Sequence, residues 1–488
     1  MSKFKLVLKD TAIYGVGMSL QKIIGFLLLP FYTRALSPAE YGVLDSLSTF
    51  AFFITVILSL GIDGATGRFF FLGKTEEYKK DILSTSLTIR VVTQVPILFI
   101  ACFFANPISE LLFRTQDYSW AVIATFLIIP CQTLNQLQDL IYRYYRKLWQ
   151  FTIMIAVRSV VIPLLGILFV VVFKWGVLGA RLATLGSTFV MLIFSYLAVS
   201  RVVVSLKRYD HQAAKGMLKF GIPLIFAGLI GWVNAVSDRF FLLHYSSLGE
   251  IGFYSIASSF SQPIQLLNVA LEMSLSVLIF DFFSKEQDYN KPETKKFQTD
   301  MWHIYLLIGV PIAFVISIFS VDLIDMVTTK EYLLSALAMP WLLLSHLLVF
   351  STTLTGNGMT LMVQSKPYVI ILVVAASVNV GLNFIFVPMW GFIGAAITTV
   401  ISNFVYFIFA YFWSQKVYYI KRSFIKPVIY VLVVMALGIL VPYMQIELDY
   451  PISVWLRIIM AILISGIPLF IPNYRRLIAS QINKLSFK

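Results

Sequence analysis

The segments WGVLGARLATLGSTF (residues 175–189) and WGFIGAAITTVISNF (residues 390–404) are two copies of one pattern. They lie 215 residues apart and share seven residues at equivalent positions. A second pair, SPAEYGVLDSLSTF (37–50) and SLGEIGFYSIASSF (247–260), lies 210 residues apart and shares five. Apolar sequences often match by chance, but chance does not explain two offsets that agree to within five residues. The two pairs therefore indicate an internal duplication.

The composition is that of a membrane protein. Of the 488 residues, 59% are hydrophobic and 13% are charged, whereas soluble domains have roughly 45–50% and 25%. Such a chain is apolar enough for about fourteen spans of ~20 residues. We predict spans near residues 11–32, 41–65, 82–105, 119–142, 151–173, 177–200, 220–244, 250–275, 301–322, 334–356, 367–388, 391–415, 427–446 and 452–472.

The duplication and the spans together predict the fold class. We expect an all-α polytopic membrane protein of about 14 transmembrane helices, in which an internal repeat relates two six-helix lobes and two helices follow. The lobes are predicted at residues 1–205 and 206–417, and the last two helices with a cytoplasmic tail at 418–488. The repeat offset corresponds to six spans, so both copies have the same orientation. Transporters built in this way have their substrate path between the lobes.

The lysine and arginine residues orient the chain. An even number of spans puts both termini on one side of the membrane. The loops on that side hold 28 of the 38 Lys and Arg residues, against five on the other side. Because positively charged loops stay in the cytoplasm, both termini are predicted to be cytoplasmic. The same asymmetry accounts for the formal charge of +14 without a nucleic-acid partner.

Embedded cations mark a candidate binding site, because a charge at the membrane centre costs about 2.5–3.5 kcal/mol even on insertion scales. Three lie in the inner half of the first lobe, at depths of ~15, ~12 and ~10 Å: Lys22, Arg90 and Arg158. Gln94 shares a helix face with Arg90. The set predicts a cationic cavity that binds an anionic group such as a phosphate. The alternatives are pairing with acids such as Asp63 and Asp139, or snorkelling, which we expect of Arg457 in the last span.

The second lobe carries oxygen-rich helix faces instead. The polar residues in question lie on three predicted spans: Asn234, Asp238, Asn379, Asn383 and Asn403. Carboxylate and amide oxygens suit a small hard cation, and Asp238 could also carry a proton. The five residues predict a coupling-ion site, and the alternative is that they form hydrogen bonds that hold the helices together.

The sequence has no signature of catalysis or of a cofactor. It contains no phosphate-binding P-loop, no Gly-x-Ser-x-Gly nucleophile elbow, and no His, Cys or Glu cluster with metal-ligand spacing. Both cysteines lie in apolar runs, so neither a disulfide framework nor a cysteine metal site is expected. We therefore expect a protein that is not an enzyme and needs no cofactor or metal.

Four segments resemble a known family. They are LPFYTRALSPAEYG (29–42), SDRF (237–240), GEIGFY (249–254) and GFIGAA (391–396). With fourteen spans and a six-plus-six repeat, the chain resembles the polysaccharide transporter family of the multidrug/oligosaccharidyl-lipid/polysaccharide exporter superfamily. The resemblance extends over essentially the whole chain, although the motifs are loose and do not separate substrates.

The resemblance implies a flippase of the bacterial inner membrane. Such a protein moves undecaprenyl-diphosphate-linked oligosaccharide from the cytoplasmic to the outer leaflet by alternating access, for O-antigen, capsule or other cell-surface polysaccharide biosynthesis. Its further partners would be membrane lipids and a proton or sodium ion. Related lipid II flippases line their cavity with arginines, in agreement with the embedded cations. Two alternatives stay open: a cation-coupled multidrug or metabolite antiporter, which would favour an acidic lumen, and a membrane-embedded polysaccharide polymerase or ligase, which would need a sizeable outer loop.

The predicted topology can be tested with single cysteines in a variant that lacks the native ones. In intact cells, cysteines replacing Lys74, Lys207 or Lys295 should be shielded from an impermeant thiol reagent, and one replacing Thr115 should react. Labelling at position 207 from outside would overturn both the orientation and the repeat.

Overall fold

The computed structural model describes residues 22–199, 205–286, 291–362 and 365–470. These ranges consist of helices joined by short turns and contain no β-strand, which confirms the all-α fold class. They divide into two compact units between Gly252 and Phe253. The beginning of the first predicted span and the predicted C-terminal tail lie outside the described residues.

Besides a helical stretch at residues 22–27, the first unit contains eight helices and the start of a ninth among its described residues. They are α1 (Leu29–Ala35), α2 (Pro38–Leu58), α3 (Ile62–Leu72), α4 (Glu76–Phe113), α5 (Ser119–Tyr144), α6 (Leu148–Gly166, followed by a π-helical turn Ile167–Val172), α7 (Gly176–Val199), α8 (His211–Tyr245) and α9 (Leu248–Glu286). Although the sequence assigns α8 to the second lobe, the structure groups it with the first unit. It packs against α2, where the Trp232 indole N–H donates to the Thr49 carbonyl at 3.5 Å. The lobe boundaries at 205/206 and 417/418 stay predictions.

The second unit continues α9 and adds six helices. They are α10 (Pro292–Ile318), α11 (Ser320–Val327), α12 (Ser335–Leu361), α13 (Ser365–Val417), α14 (Ile425–Ile446) and α15 (Val454–Phe470). Helices α10, α12, α13 and α14 pack together, and their core contains large buried side chains such as Trp302, Tyr305 and Phe407.

Ten helices among the described residues are long and apolar enough to cross a membrane, as expected for a multi-pass membrane protein. Helix α13 counts once among these ten, but Gly391 interrupts it with non-helical angles (φ 52°, ψ −132°). This interruption lies where the sequence separates the spans 367–388 and 391–415. The apolar part of α15 that extends over Val454–Gly466 is shorter. The count of fourteen stays a prediction.

The second predicted span, 41–65, is not one continuous helix. Helix α2 ends at Leu58, and α3 begins at Ile62. Between them Leu60 and Gly61 have positive φ angles of 47° and 63°, which a right-handed helix does not allow. A side chain at Gly61 would overlap with the Gly221 backbone of α8. The break therefore lets the backbone of the turn contact the backbone of α8 directly. The prediction of an unbroken span was wrong because periodicity does not register a single left-handed turn.

Both copies of the repeat have matching local structure. Gly176 and Gly391, 215 residues apart in the sequence, have nearly equal positive φ angles of 55° and 52°. At the other pair of segments, the Ser37 hydroxyl accepts from the Glu40 N–H and the Ser247 hydroxyl accepts from the Glu250 N–H, each at 3.3 Å. A serine thus caps the helix start in both copies.

These two helix starts also contact each other reciprocally. A Cβ on Gly42 would overlap with the Leu248 carbonyl, and a Cβ on Gly252 would overlap with the Pro38 carbonyl. Pro38 and Leu248 are equivalent at the 210-residue offset, as are the two glycines. Each helix start thus supplies the glycine that makes room for the backbone of the other.

The backbone contact between α8 and the break before α3 leads to a prediction. A Gly221→Ala variant should be destabilised by about 1–3 kcal/mol, because its Cβ would collide with the Leu60 carbonyl. Gly231 lies on the same helix with nothing within 4 Å of an added Cβ. Gly231→Ala should therefore be neutral or slightly stabilising. Thermal unfolding of both purified variants measures the difference, and equal melting temperatures would contradict the packing.

Candidate functional site

Arg90 is a charged side chain buried inside the first unit. It is 1% exposed on α4 and forms an ion pair with the Asp63 carboxylate, whose side chain is 44% exposed at the start of α3. Its Nη1 also donates to the Thr133 carbonyl of α5 at 3.1 Å. One guanidinium therefore links three helices, and the acid that neutralises it lies at the edge of the packing.

Gln94 lies one turn further along α4 and reaches the same residue of α5. The Thr133 hydroxyl donates to Gln94 Oε1 at 2.6 Å, and both side chains are buried. The predicted common face of Arg90 and Gln94 is present, and both side chains use it to bind α5.

Arg158 forms the second ion pair of this unit. Its Nη1 lies 3.3 Å from Asp139 Oδ2, which joins α6 to α5, and both side chains are largely buried. Nε and Nη2 of Arg158 and Oδ1 of Asp139 are enclosed without a hydrogen-bond partner among the described residues. The pair thus retains hydrogen-bonding capacity that the surrounding protein leaves unused.

The three predicted cations therefore differ in their surroundings. Arg90 and Arg158 are each held by an acid, which is the pairing that the sequence left open as an alternative. Lys22 lies half-buried in a helical stretch before α1 and has an interaction of its own. In this conformation Arg90 faces protein, so its assignment to a substrate cavity stays a prediction.

Helix α2 binds two further arginines that the sequence did not assign to a site. Arg181, which the charge count placed in an outer loop, is buried on α7 and donates to the Leu44 carbonyl and, at 2.7 Å, to the Ser48 hydroxyl. Arg239 Nε on α8 lies 2.5 Å from Asp45 Oδ2. Asp45 lies inside a predicted span, and an acid within a membrane needs a partner. Its presence could therefore have indicated a basic partner such as Arg239.

The residues predicted to bind a coupling ion divide between the two units. Asn234 on α8 donates to the Ile230 carbonyl of its own helix at 2.9 Å, and Asp238 is buried one turn later. In the second unit Asn403 donates to the Ser345 hydroxyl of α12 at 2.7 Å. Asn234 and Asp238 thus belong to the first unit, while the other three belong to the second.

The remaining two asparagines form a hydrogen-bonded chain across the two halves of α13. Asn383 donates to Asn379 Oδ1 at 2.9 Å, and the Thr398 hydroxyl donates to Asn383 Oδ1 at 2.6 Å. Asn379 in turn donates to the Ser402 hydroxyl at 3.4 Å. These bonds fold the second half of the helix back against the first after the turn at Gly391. They also bring together several oxygens, so the coupling-ion assignment stays a prediction.

Arg457 does not snorkel, so that prediction was wrong. Its side chain is 3% exposed, and its guanidinium pairs with both Asp322 oxygens, Nη2 to Oδ1 at 3.1 Å. Nη1 also donates to the Ile318 carbonyl at 3.2 Å. The short helix α11 carries Asp322 to the start of α15, and nothing in the local sequence of α15 indicates this partner.

Comparison with solved structures relates the fold to two groups of transporters. A structure described as lipid II flippase MurJ, inward closed conformation, matches 96% of this chain and all of its own, with a TM-score of 0.72 and 17% identity. An inward-facing multidrug resistance MATE family transporter of the MOP superfamily matches 81% of this chain and 94% of its own, with a TM-score of 0.65 and 17% identity. The chain therefore has the fold of these two transporters.

The sequence comparisons give the family. A match to the family described as polysaccharide biosynthesis protein extends over residues 7–285, more than half of the chain. The chain belongs to this family, which confirms the resemblance seen in the sequence. A relative in Haemophilus influenzae, Lsg locus putative protein 1, is 25% identical and aligns with 70% of this chain and 85% of its own length. An uncharacterised membrane protein of Methanocaldococcus jannaschii is 19% identical, with 90% of each chain aligned.

The Arg90–Asp63 pair predicts an asymmetric response to mutation. Asp63→Asn should destabilise the protein by about 3 kcal/mol, because it leaves a buried guanidinium without its counter-charge. The double variant Arg90→Met with Asp63→Leu should recover most of that loss, since neither side chain then needs a partner. Thermal unfolding in detergent compares the two. If Asp63→Asn has the same melting temperature as the wild type, the Asp63 carboxylate does not neutralise Arg90.

Proposed function

We propose that this protein is a flippase that moves undecaprenyl-diphosphate-linked oligosaccharide from the cytoplasmic to the outer leaflet. The observation that carries the proposal is the combination of family and fold. The chain belongs to the polysaccharide biosynthesis protein family, and it shares the fold of a lipid II flippase over 96% of its length. The product would serve O-antigen, capsule or another cell-surface polysaccharide.

The buried arginines support an anionic substrate. A diphosphate is costly to bring into an apolar passage unless cations compensate it. In the proposed mechanism the diphosphate replaces Asp63 and Asp139 as the partner of Arg90 and Arg158, and Lys22 adds a third cation. Because Asp63 is 44% exposed, an anion can approach that pair from the side of the acid. The guanidinium fork suits phosphate oxygens, so each arginine would stay neutralised throughout the exchange.

The direction of transport follows from the proposed topology. The strong excess of Lys and Arg in the loops on the side of the termini supports cytoplasmic termini in a bacterial inner membrane. Lys22, Arg90 and Arg158 would then lie in the cytoplasmic half, where the lipid-linked substrate is made. Alternating access between two repeat-related lobes would expose that site first to one leaflet and then to the other.

A second candidate function is a cation-coupled multidrug or metabolite antiporter. The specific observation in its favour is the fold similarity to a MATE transporter, with a TM-score of 0.65. Under either function we assign coupling to a proton or sodium ion. Its candidate oxygen donors are Asn234 and Asp238 in the first unit and Asn379, Asn383 and Asn403 in the second. Arginines in the bundle favour an anionic substrate, so we rank the flippase first.

Charge removal at the two arginines tests the flippase. Arg90→Ala or Arg158→Ala should lower polysaccharide export per molecule by about tenfold or more and cause lipid-linked oligosaccharide to accumulate. Arg90→Lys should retain more export than Arg90→Ala, because the charge remains although the fork is lost. Surface polysaccharide, extracted lipid-linked intermediates and the amount of membrane-inserted protein are measured together.

Arg457→Ala is the matched control. It also breaks a buried arginine–aspartate pair, but in the second unit, so it should lower stability and leave export per molecule near normal. If both Ala variants at positions 90 and 158 insert normally and export at the wild-type level, the cationic-cavity mechanism is wrong. If Arg457→Ala lowers export per molecule as much as Arg90→Ala and Arg158→Ala do, all three losses would result from disturbed packing.

A further inference from the structure

The two acids that neutralise Arg90 and Arg158 differ in their exposure. The Asp63 side chain is 44% exposed, whereas the Asp139 side chain is 16% exposed. Asp139 Oδ1 is enclosed without a hydrogen-bond partner among the described residues, and Oδ2 lies 3.3 Å from Arg158 Nη1. Hydrogen bonds between ions are usually about 2.7–2.9 Å long. The Asp139 carboxylate is therefore largely removed from water and has one long contact with its counter-ion.

Arg158 is the main charge that acts on Asp139. Arg143, one turn later on α5, also interacts with it electrostatically, but the Arg143 side chain is exposed and its Nε donates to the Asp139 main-chain carbonyl at 3.4 Å. The Tyr142 hydroxyl accepts a hydrogen bond from Gln138. Further charges on the helices around α5 have partners of their own: Asp63 and Arg90 with each other, Asp45 with Arg239, and Arg181 with the Leu44 carbonyl.

An apolar cluster lies beside the Asp139–Arg158 pair. Its buried members include Tyr142, about one turn from Asp139 on α5, and Ile155, about one turn from Arg158 on α6. A carboxylate that lost Arg158 at this position would meet apolar side chains instead of water.

Displacement by a diphosphate would affect the two acids differently. Asp63 can enter water once it is displaced from Arg90, because almost half of its side chain is exposed already. Asp139 has no such exposure, and a buried carboxylate without a counter-charge is so costly that the group binds a proton instead. The two displaced acids should therefore end in different protonation states.

We propose, on the basis of the proposed function, that Asp139 is a proton-binding site linked to the binding of the diphosphate substrate. When a phosphate takes over Arg158, one proton from water bonds to a carboxylate oxygen of Asp139, and no other covalent bond forms or breaks. When the substrate leaves, the carboxyl group returns its proton to water and pairs with Arg158 again as the ion. Both buried groups thus stay compensated in each state. The site lies beside the substrate in the first unit and is distinct from the oxygen-rich residues predicted to bind a coupling ion.

The linkage has a definite sign. The complex holds one proton more than the free protein and the free substrate together, so a rise in pH opposes binding. The dissociation constant should increase tenfold per pH unit over the range in which Asp139 is ionised in the free protein and protonated in the complex. Exchange at Asp63 alone would give no such slope, because that acid stays ionised in both states.

Isothermal titration calorimetry of the full-length protein in detergent counts the proton. The probe is a short-chain prenyl diphosphate linked to N-acetylglucosamine, in which both phosphates are substituted twice and neither titrates near neutral pH. In two buffers with different heats of ionisation, the difference in observed heat gives the number of protons taken up per bound probe. The wild type should take up about one at about pH 6, which lies above the range of an ordinary aspartate and below that of a buried one.

Three variants separate the acids. Asp139→Asn has no proton to gain, so it should bind the probe without proton uptake, without a pH slope, and at least as tightly as the wild type at high pH. Asp63→Asn should still take up about one proton. Asp322→Asn is the control, because it breaks another arginine–aspartate pair in the second unit; it should leave both the proton uptake and the slope unchanged.

The outcomes distinguish the proton site from the transport function. Binding of the probe by the wild type without proton uptake would overturn the proton site alone, as would uptake of a full proton by Asp139→Asn. The wild-type measurement needs no substitution, so it decides even if Asp139→Asn does not fold. Failure of the wild type to bind the probe at any pH would contradict the flippase function itself, and the proton site with it.

Discussion

An arginine can lie within an apolar helix bundle only where an opposite charge or a carbonyl oxygen meets it. Without such a partner, the free energy lost by burying the charge would exceed the free energy gained from packing the side chain. Five arginines in this protein meet that condition on described helices: Arg90, Arg158, Arg181, Arg239 and Arg457. In each case the neutralising group belongs to a different helix, so the pairs determine which helices pack together and in what register.

Two of the ion pairs are asymmetric in burial. Arg90 and Arg457 are almost fully buried, whereas their partners Asp63 and Asp322 have side chains that are 44% and 47% exposed. A carboxylate at the edge can leave the pair at little cost in its own solvation, but the guanidinium it leaves behind needs another anion at once. For Arg90 this agrees with the proposed exchange, in which an incoming anion takes the place of Asp63.

Glycine contacts impose a second kind of order on the first unit. Gly61 meets Gly221, while Gly42 and Gly252 each meet the backbone of the opposite helix start. Helices at such short separation cannot slide without a clash, because no flexible side chain lies between them. The reciprocal contact at the helix starts joins residues that are equivalent in the duplication, so one sequence motif, present twice, supplies both halves of an interface.

The membrane setting, the all-α class, the repeat and the family were all predictable from the sequence, because composition, hydropathy and segment similarity depend only on the local chain and its solvent. The sequence also identified Arg90 and Arg158, since a charged residue within an apolar span can be recognised without knowing its partner. The partners of the buried arginines are visible only in the folded protein. Arg457 meets an aspartate 135 residues away, and Arg181 proved to be buried although the charge count placed it in a loop. Periodicity gave no sign of the break at Gly61. Such features arise where distant segments meet, and a one-dimensional pattern carries no information about which segments these are.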